Sequence, residues 1–367
     1  MDDRRLASLN PLRISGTSMR PNVLLAAKLL ALCVLVTGRI RGLPYHFLPL
    51  VAFLGRVGSP REFHRGLELV FLVAALALFC NQFVRTACLL LGLVFVVAVL
   101  SSAEYWHNNV LYTGLFFVLA ALDGARSRIS LFRYQLAVLY FGAAWNKLAL
   151  SDWRDGAFVK DWLPHYFHGY PHVASLFPDT TLSTGLGWVA MVTEAALVVL
   201  LLVPRFVPLA IFVGVGYHTG LVTMTKGWTF GMFWYALTAT YVALLEWPTA
   251  PVVVRYSPTK LVHRLGMAAV ERFDFEGWYR WLPERVDALQ ARVDGATYEG
   301  VGAGARVLLY CPIAYAVFAV VCSSWPVVIP FTFLFLAAIA YGEFVRQGVP
   351  RFRSSVYAGG PRIGGGG

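Results

Sequence analysis

Apolar residues in this chain gather into long runs instead of alternating with polar ones. Runs bounded by Arg, Pro, Gly or Asn lie at 22–38, 66–82, 85–102, 109–123, 131–149, 184–203, 206–224, 229–246, 305–322 and 325–342. Each approaches the roughly 20 residues that a helix needs to cross a bilayer. The pattern therefore predicts an all-α fold, a polytopic transmembrane helical bundle of about ten spans. The stretch "LPYHFLPLVAFLG" at 43–55 is shorter and carries two prolines, which reads as a re-entrant or interfacial piece. Between 247 and 304 the pattern changes to mixed charge, with apolar residues at helical spacing and aromatics beside arginines. That predicts a short amphipathic interfacial region of helices on the membrane face; a solvated linker between two membrane blocks fits the same residues.

The expected organisation follows from these boundaries. Residues 1–20 form an N-terminal cytoplasmic or interfacial segment, 21–247 a transmembrane domain, and 248–304 an amphipathic membrane-surface linker. Residues 305–342 form a C-terminal transmembrane hairpin and 343–367 a glycine-rich disordered tail.

Composition reinforces the membrane reading. Of 367 residues 58% are hydrophobic and 14% charged, with a mean hydropathy of +0.62, well outside the range of soluble domains. The expected location is the cell membrane, multi-pass, with membrane lipid as the first partner. The formal charge of +11 comes mostly from arginines in connecting loops. There it sets orientation and does not point to nucleic acid, which is not expected as a partner. Arg126, Arg128, Arg205 and the basic 255–306 stretch mark the cytoplasmic side. Cys33, Cys80, Cys88, Cys311 and Cys322 lie inside apolar runs without metal-ligand spacing, so they read as small hydrophobes and no metal is expected. Phosphate-binding glycine loops, GxSxG elbows and HExxH patterns are absent from the sequence, which argues against the common nucleotide and hydrolase chemistries.

Against this apolar background the ionisable and polar residues stand out, because charge left in hydrocarbon costs several kcal/mol and marks a functional site. Lys147 ends the fifth run, after Trp145 and Asn146. Glu194 lies in the sixth run, Tyr217 and His218 in the seventh, and His107, Asn108 and Asn109 open the fourth. The topology gathers them on the external half. Alone, Lys147 could snorkel to the headgroups, and Glu194 or His218 could be satisfied between helices. Together they suggest a lysine held in low dielectric and able to work as a free amine base. Tyr140 and Ala144 precede Lys147 on the same helical face, forming a groove for a flat apolar ligand.

These residues resemble a known family. "YFGAAWNKLALSDWRDG", followed by Glu194 in "MVTEAALVVLLLVPRFVPLAI", then "YHTG" and "GWTFGMFWYAL", is similar to the HTTM membrane domain shared by vitamin K-dependent gamma-carboxylases and their bacterial relatives. The likeness covers about residues 20–247. Its most specific element is the Tyr-Phe-x-Ala-x-x-x-Lys-Leu-x-x-x-x-Trp-x-x-Gly pattern from Tyr140 to Gly156, which includes Trp153. The resemblance implies a lysine base at Lys147 that deprotonates a quinol, vitamin K hydroquinone or menaquinol. Oxygen then converts the quinol to an epoxide through a strong base. That base removes a proton from a glutamate carbon of a peptide or protein substrate, and carbon dioxide adds. It implies Lys147 and His218 as catalytic residues. Asn108, Asn109, His107, Tyr140, Trp145, Trp153, Glu194 and Tyr217 would line the substrate site. Two departures stand beside it. Asn109 occupies the position of the family's histidine, with His107 on the other side of Asn108, and the long external region of the carboxylases is missing. Two principal readings therefore remain: a carboxylase-like lyase or epoxidase, and a non-catalytic or peptide-maturation HTTM protein with a diverged site. A transporter with a midplane site is a third.

Overall fold

The computed structural model describes residues 10–36, 56, 59–101, 108–123, 130–166, 175, 179–225 and 231–321. The expected spans or segments at 43–55 and 325–342 and the tail at 343–367 lie outside the described residues, as does His107. The apolar runs form helices: α1 Pro21–Val36, α2 Pro60–Phe79, α3 Val84–Ser101, α4 Asn108–Leu122 and α5 Ser130–Ala149. The short helices α6 Ser151–Arg154 and α7 Ala157–Tyr166 follow, then α8 Thr180–Leu202, α9 Val207–Thr225 and α10 Gly231–Leu244.

Local chemistry sets several of the ends. Pro60 occupies the first turn of α2, and the Ser59 hydroxyl accepts from the Glu62 N–H while the Glu62 carboxylate accepts from the Ser59 N–H, which satisfies two helix-end donors reciprocally. Asp179 caps α8 by accepting from the N–H groups of Thr181 and Leu182. Facing glycines let α3 and α4 approach closely. A Cβ on Gly92 would lie 3.0 Å from the Gly114 carbonyl oxygen, and one on Gly114 would lie 2.9 Å from the Phe95 Cβ. Phe71, Phe95, Phe116, Phe117 and Phe132 pack edge-on, stacked or tilted between α2, α3, α4 and α5.

The ten-span, all-α arrangement is not what the chain adopts. Among the described residues only Val84–Ser101 and Thr180–Leu202 are long and apolar enough to cross a bilayer. These two helices are compatible with membrane association of the chain. Charge rules out the 20-residue α2, which carries Arg61, Glu62, Arg65 and Glu68, and length rules out α1. At 1.5 Å per residue, the 16 residues of α1 reach about 24 Å, short of a hydrocarbon core of about 30 Å. The run at 305–322 is not one span either. It breaks at Cys311 and Pro312 into α12 Gly300–Leu309 and α13 Pro312–Val321, because proline at position 312 can start a helix but cannot continue one.

The second correction concerns 248–304, expected to be amphipathic helices or linker. It folds into a four-stranded sheet of β1 Val252–Tyr256, β2 Tyr279–Pro283, β3 Gln290–Val293 and β4 Ala296–Glu299, in the order β2-β1-β3-β4. A single helix, α11 Leu261–Glu271, connects β1 to its parallel neighbour β2. β1 pairs antiparallel with β3, and β3 with β4. The β3–β4 turn is Asp294-Gly295, both at positive φ, 43° and 87°, the backbone that a two-residue hairpin requires. Val252, Val254, Ala291 and Val293 alternate inward and are buried, as are Ala303 and Val307 of α12, which packs on β3 and β4.

Polar contacts fasten the sheet to one end of the helical layer. Glu276, just before β2, accepts the N–H groups of Ile14 and Ser15, both at 2.7 Å, and the Ser15 hydroxyl at 2.9 Å. At the same end Arg20 pairs with Asp123, and the Asn22 amide donates to the carbonyls of Ala243 and Leu245 at 2.7 and 2.9 Å.

Candidate functional site

The last turn of α5 carries Lys147, and past the middle of α8 sits Glu194. The two helices pack along their length, and this brings the side chains together across 47 residues of sequence. The Lys147 ammonium donates to Glu194 Oε1 at 2.8 Å and Oε2 at 2.7 Å, and only 6% of the glutamate side chain is exposed. The Trp153 ring, on α6, lies under the ammonium with its centroid 4.9 Å from Nζ. A cation over an aromatic face is held by the ring quadrupole.

Glycines bring Trp153 to this place. The turn after α6 needs Gly156 at φ +83°, and it presses so closely on α8 that a Cβ would lie 2.4 Å from the Thr184 nitrogen. One α8 turn further, a Cβ on Gly187 would meet the Trp153 carbonyl oxygen at 2.5 Å. Thr184 donates its hydroxyl to the Asp155 carbonyl at 2.7 Å, locking the contact.

A chain of buried polar groups lies beside the ion pair. Tyr217, on α9, donates to Glu194 Oε1 at 3.5 Å, a long bond. Its neighbour His218 places Nε2 3.0 Å from the Tyr140 hydroxyl, and that hydroxyl is 2.9 Å from the Tyr241 hydroxyl of α10. Which partner donates depends on the histidine tautomer. Tyr112 of α4 donates to the Thr240 hydroxyl at 3.1 Å, and Thr240 donates onward to the Ala236 carbonyl at 2.8 Å. Tyr241 fits only because Gly214 faces it: a Cβ there would lie 1.8 Å from the Tyr241 hydroxyl.

The structure thus gathers Lys147, Glu194, Trp153, Tyr217, His218 and Tyr140 from three helices and the α6 turn. It does not bring Trp145 to them. That ring is 65% exposed and stacks on Phe141, with centroids 6.3 Å apart. Asn108 and Asn109 sit in the first turn of α4, with their side chains outside the described residues. Tyr140 and Ala144 are buried, 1% and 4% exposed, so the face shared with Lys147 is turned into the protein. Tyr112, Thr240, Tyr241 and Gly214 are additional members that the sequence reading did not single out. The hydroxyls of Thr240 and Tyr241 inside an otherwise apolar helix were the available signal. Among the described residues no group of three or more His, Cys, Asp or Glu could hold a metal ion.

Chemically, the centre can hold and move protons: a carboxylate and an amine in direct contact, and an imidazole hydrogen-bonded to two phenols in series. Comparison with known proteins gives no match to a family model, to a curated protein or to a solved structure.

Proposed function

We propose that the Lys147–Glu194 centre is a proton-abstracting site for an apolar, weakly acidic ligand of the quinol class. The observation that supports it is the buried, bidentate pair seated on Trp153. When the shared proton resides on Glu194, Lys147 is a neutral amine and the pair carries no net charge. The amine then takes the proton of a quinol hydroxyl, leaving the quinolate. His218, Tyr140 and Tyr241 form a second hydrogen-bonded series beside the centre. The HTTM resemblance extends this to oxygenation of vitamin K hydroquinone or menaquinol, coupled to removal of a carbon-bound proton and carboxylation of a peptide or protein substrate. The test is epoxide formation by the full chain in nanodiscs with reduced vitamin K or menaquinol and oxygen, followed by chromatography. Epoxide from wild type and none from Lys147→Ala supports the reading; no epoxide from well-folded wild type with either quinol refutes it.

A second reading draws on the same pair. Two short hydrogen bonds and the Trp153 ring hold the ammonium, which suits a clamp between α5 and α8 in a non-catalytic or peptide-maturation protein. Lys147→Arg separates the two: a clamp tolerates a bidentate guanidinium, whereas a base does not, because arginine does not deprotonate.

We also infer that more than two helices contact lipid, a multi-pass embedding. Leu69, Val73 and Leu76 on α2, Val138 and Phe141 on α5, and Val189, Val192 and Val199 on α8 are all exposed. Apolar surface of that extent needs a cover. Protection of cysteines introduced at positions 73, 138 and 192 from a membrane-impermeant thiol reagent in intact vesicles would support this. Labelling at all three would refute it.

A further inference from the structure

A polar concavity lies at the end of the helical layer away from Lys147, where the chain enters α1 and turns from α2 into α3. It is a cavity of about 690 Å³, and its walls include Arg13, Ser15, Thr17, Asn81, Arg85 and Thr86. The turn is made by Asn81 and Phe83, non-glycine residues at φ 57° and 46°. The Phe83 carbonyl accepts the Ala87 N–H at 2.8 Å. The N–H groups of Val84, Arg85 and Thr86 therefore lie in the first turn of α3, where helix geometry gives them no partner. All three residues line the cavity.

Charge accumulates around the same space. Arg85 donates to the carbonyls of Ser18, at 3.1 Å, and Asp123, and its Nε is buried without a partner. Below, Lys28 is 4% exposed and donates to the carbonyls of Pro11 and Arg13 and to Asn81 Oδ1 at 2.7–2.8 Å. These acceptors are neutral. Arg13 and Arg20 add two more cations, and the nearby carboxylates are Glu276, 3.8 Å from Arg13, and Asp123, which Arg20 engages. Three guanidinium groups, Arg13, Arg20 and Arg85, thus stand against two carboxylates, and Arg13 and Arg85 line the cavity itself. Lys28 fixes both walls, the 11–13 segment and Asn81, so the cavity is held open by buried contacts.

We infer that this cavity binds a phosphate group. Two guanidinium groups, the start of a long helix and the Thr86 hydroxyl match the charge and acceptor oxygens of a phosphate, while the Ser15 and Thr17 hydroxyls already donate to Glu276 and to the Met19 carbonyl. The cavity lies at the ends of helices α2 and α3, so the phosphate can belong to an anionic phospholipid headgroup or to a soluble phosphate.

The test uses the full chain purified in neutral, phosphate-free detergent. Inorganic phosphate is titrated against thermal melting, with sodium chloride at matched ionic strength as control. Retention of phosphatidylglycerol over phosphatidylcholine is read in parallel by native mass spectrometry. Phosphatidylglycerol retention without a phosphate effect assigns a headgroup site; phosphate stabilisation without lipid retention assigns a soluble phosphate. In either case Arg13→Gln weakens binding about tenfold, the worth of one charge-assisted hydrogen bond. Arg85→Gln risks misfolding, because that side chain ties two loops together. Thr86→Val therefore serves as the second variant, with about threefold loss expected from a neutral bond. If neither probe binds, or both variants bind as wild type does, the inference is overturned.

Discussion

Breaking the Lys147–Glu194 pair one side at a time should cost far more than removing both sides together. Glu194 keeps 6% of its side-chain surface and Lys147 15%, so Lys147→Met leaves a carboxylate with water access only along the former path of the lysine. Leaving one member of such a pair uncompensated costs about 3–5 kcal/mol. The partial exposure of Lys147 and the remaining Tyr217 bond place the expectation near the lower end, about 3 kcal/mol. Glu194→Leu strands the ammonium, but the Trp153 ring and the 15% exposure of the lysine side chain soften the loss to about 2 kcal/mol. The double variant places apolar side chains of similar size against each other and should fall within about 1 kcal/mol of wild type. The coupling free energy from this cycle, read by reversible denaturant unfolding in detergent, is then about 5 kcal/mol. Additive single costs, or a coupling below about 1 kcal/mol, would show that the two groups do not form a desolvated pair, and both functional readings would lose their support.

Other substitutions probe the packing around the site and the sheet. Gly214→Ala drives a methyl into the Tyr241 hydroxyl. Overpacking of about 1–3 kcal/mol should outweigh the roughly 1 kcal/mol gained in helix propensity, and a raised melting temperature would contradict the close contact. Gly295→Ala places a side chain at φ 87° in the β3–β4 turn and should destabilise the sheet by about 1 kcal/mol, visible as faster amide exchange in β3 and β4 with α5 and α8 unchanged. Ser59→Ala removes the reciprocal cap of α2 and should cost about 1 kcal/mol, measured by the same unfolding titration; Ser59→Asp should restore most of it.

Much of the helical layer could be read from the sequence because long apolar runs fold as helices whether a bilayer or a protein core receives them. That ambiguity is also why the span count failed: run length fixes the helix, not its surroundings. The reading of 248–304 failed for a different reason. Leu261–Glu271 does form a helix, and its spacing spread to the flanking residues in the periodicity. The β-branched "VVVRY" before it and the "VDGA" turn after it were the overlooked strand and hairpin signals. At the site, Lys147, Glu194 and His218 stood out individually as polar groups in apolar runs. Their partners did not, since the meeting of Lys147 with Glu194 depends on the register of α5 on α8. Glycines 156 and 187 make that approach possible, and a local pattern does not reveal what they face.

The bonds from Glu276 to Ile14 and Ser15 also impose an order of events on biosynthesis. They join residues up to 262 positions apart, so the amides of Ile14 and Ser15 must wait until about three-quarters of the 367-residue chain is made. At 5–20 residues per second, that delay is roughly 13–50 s. During it the entry to α1 is without its anchor, and the arginine-lined cavity lacks one wall support while α1 to α10 are already emerging. Ribosome-stalled chains ending at residue 270 should therefore be cut by protease near Arg13 or Arg20, whereas chains long enough to expose β2 outside the ribosome should resist. Equal cleavage of both would mean that the entry segment settles without the sheet.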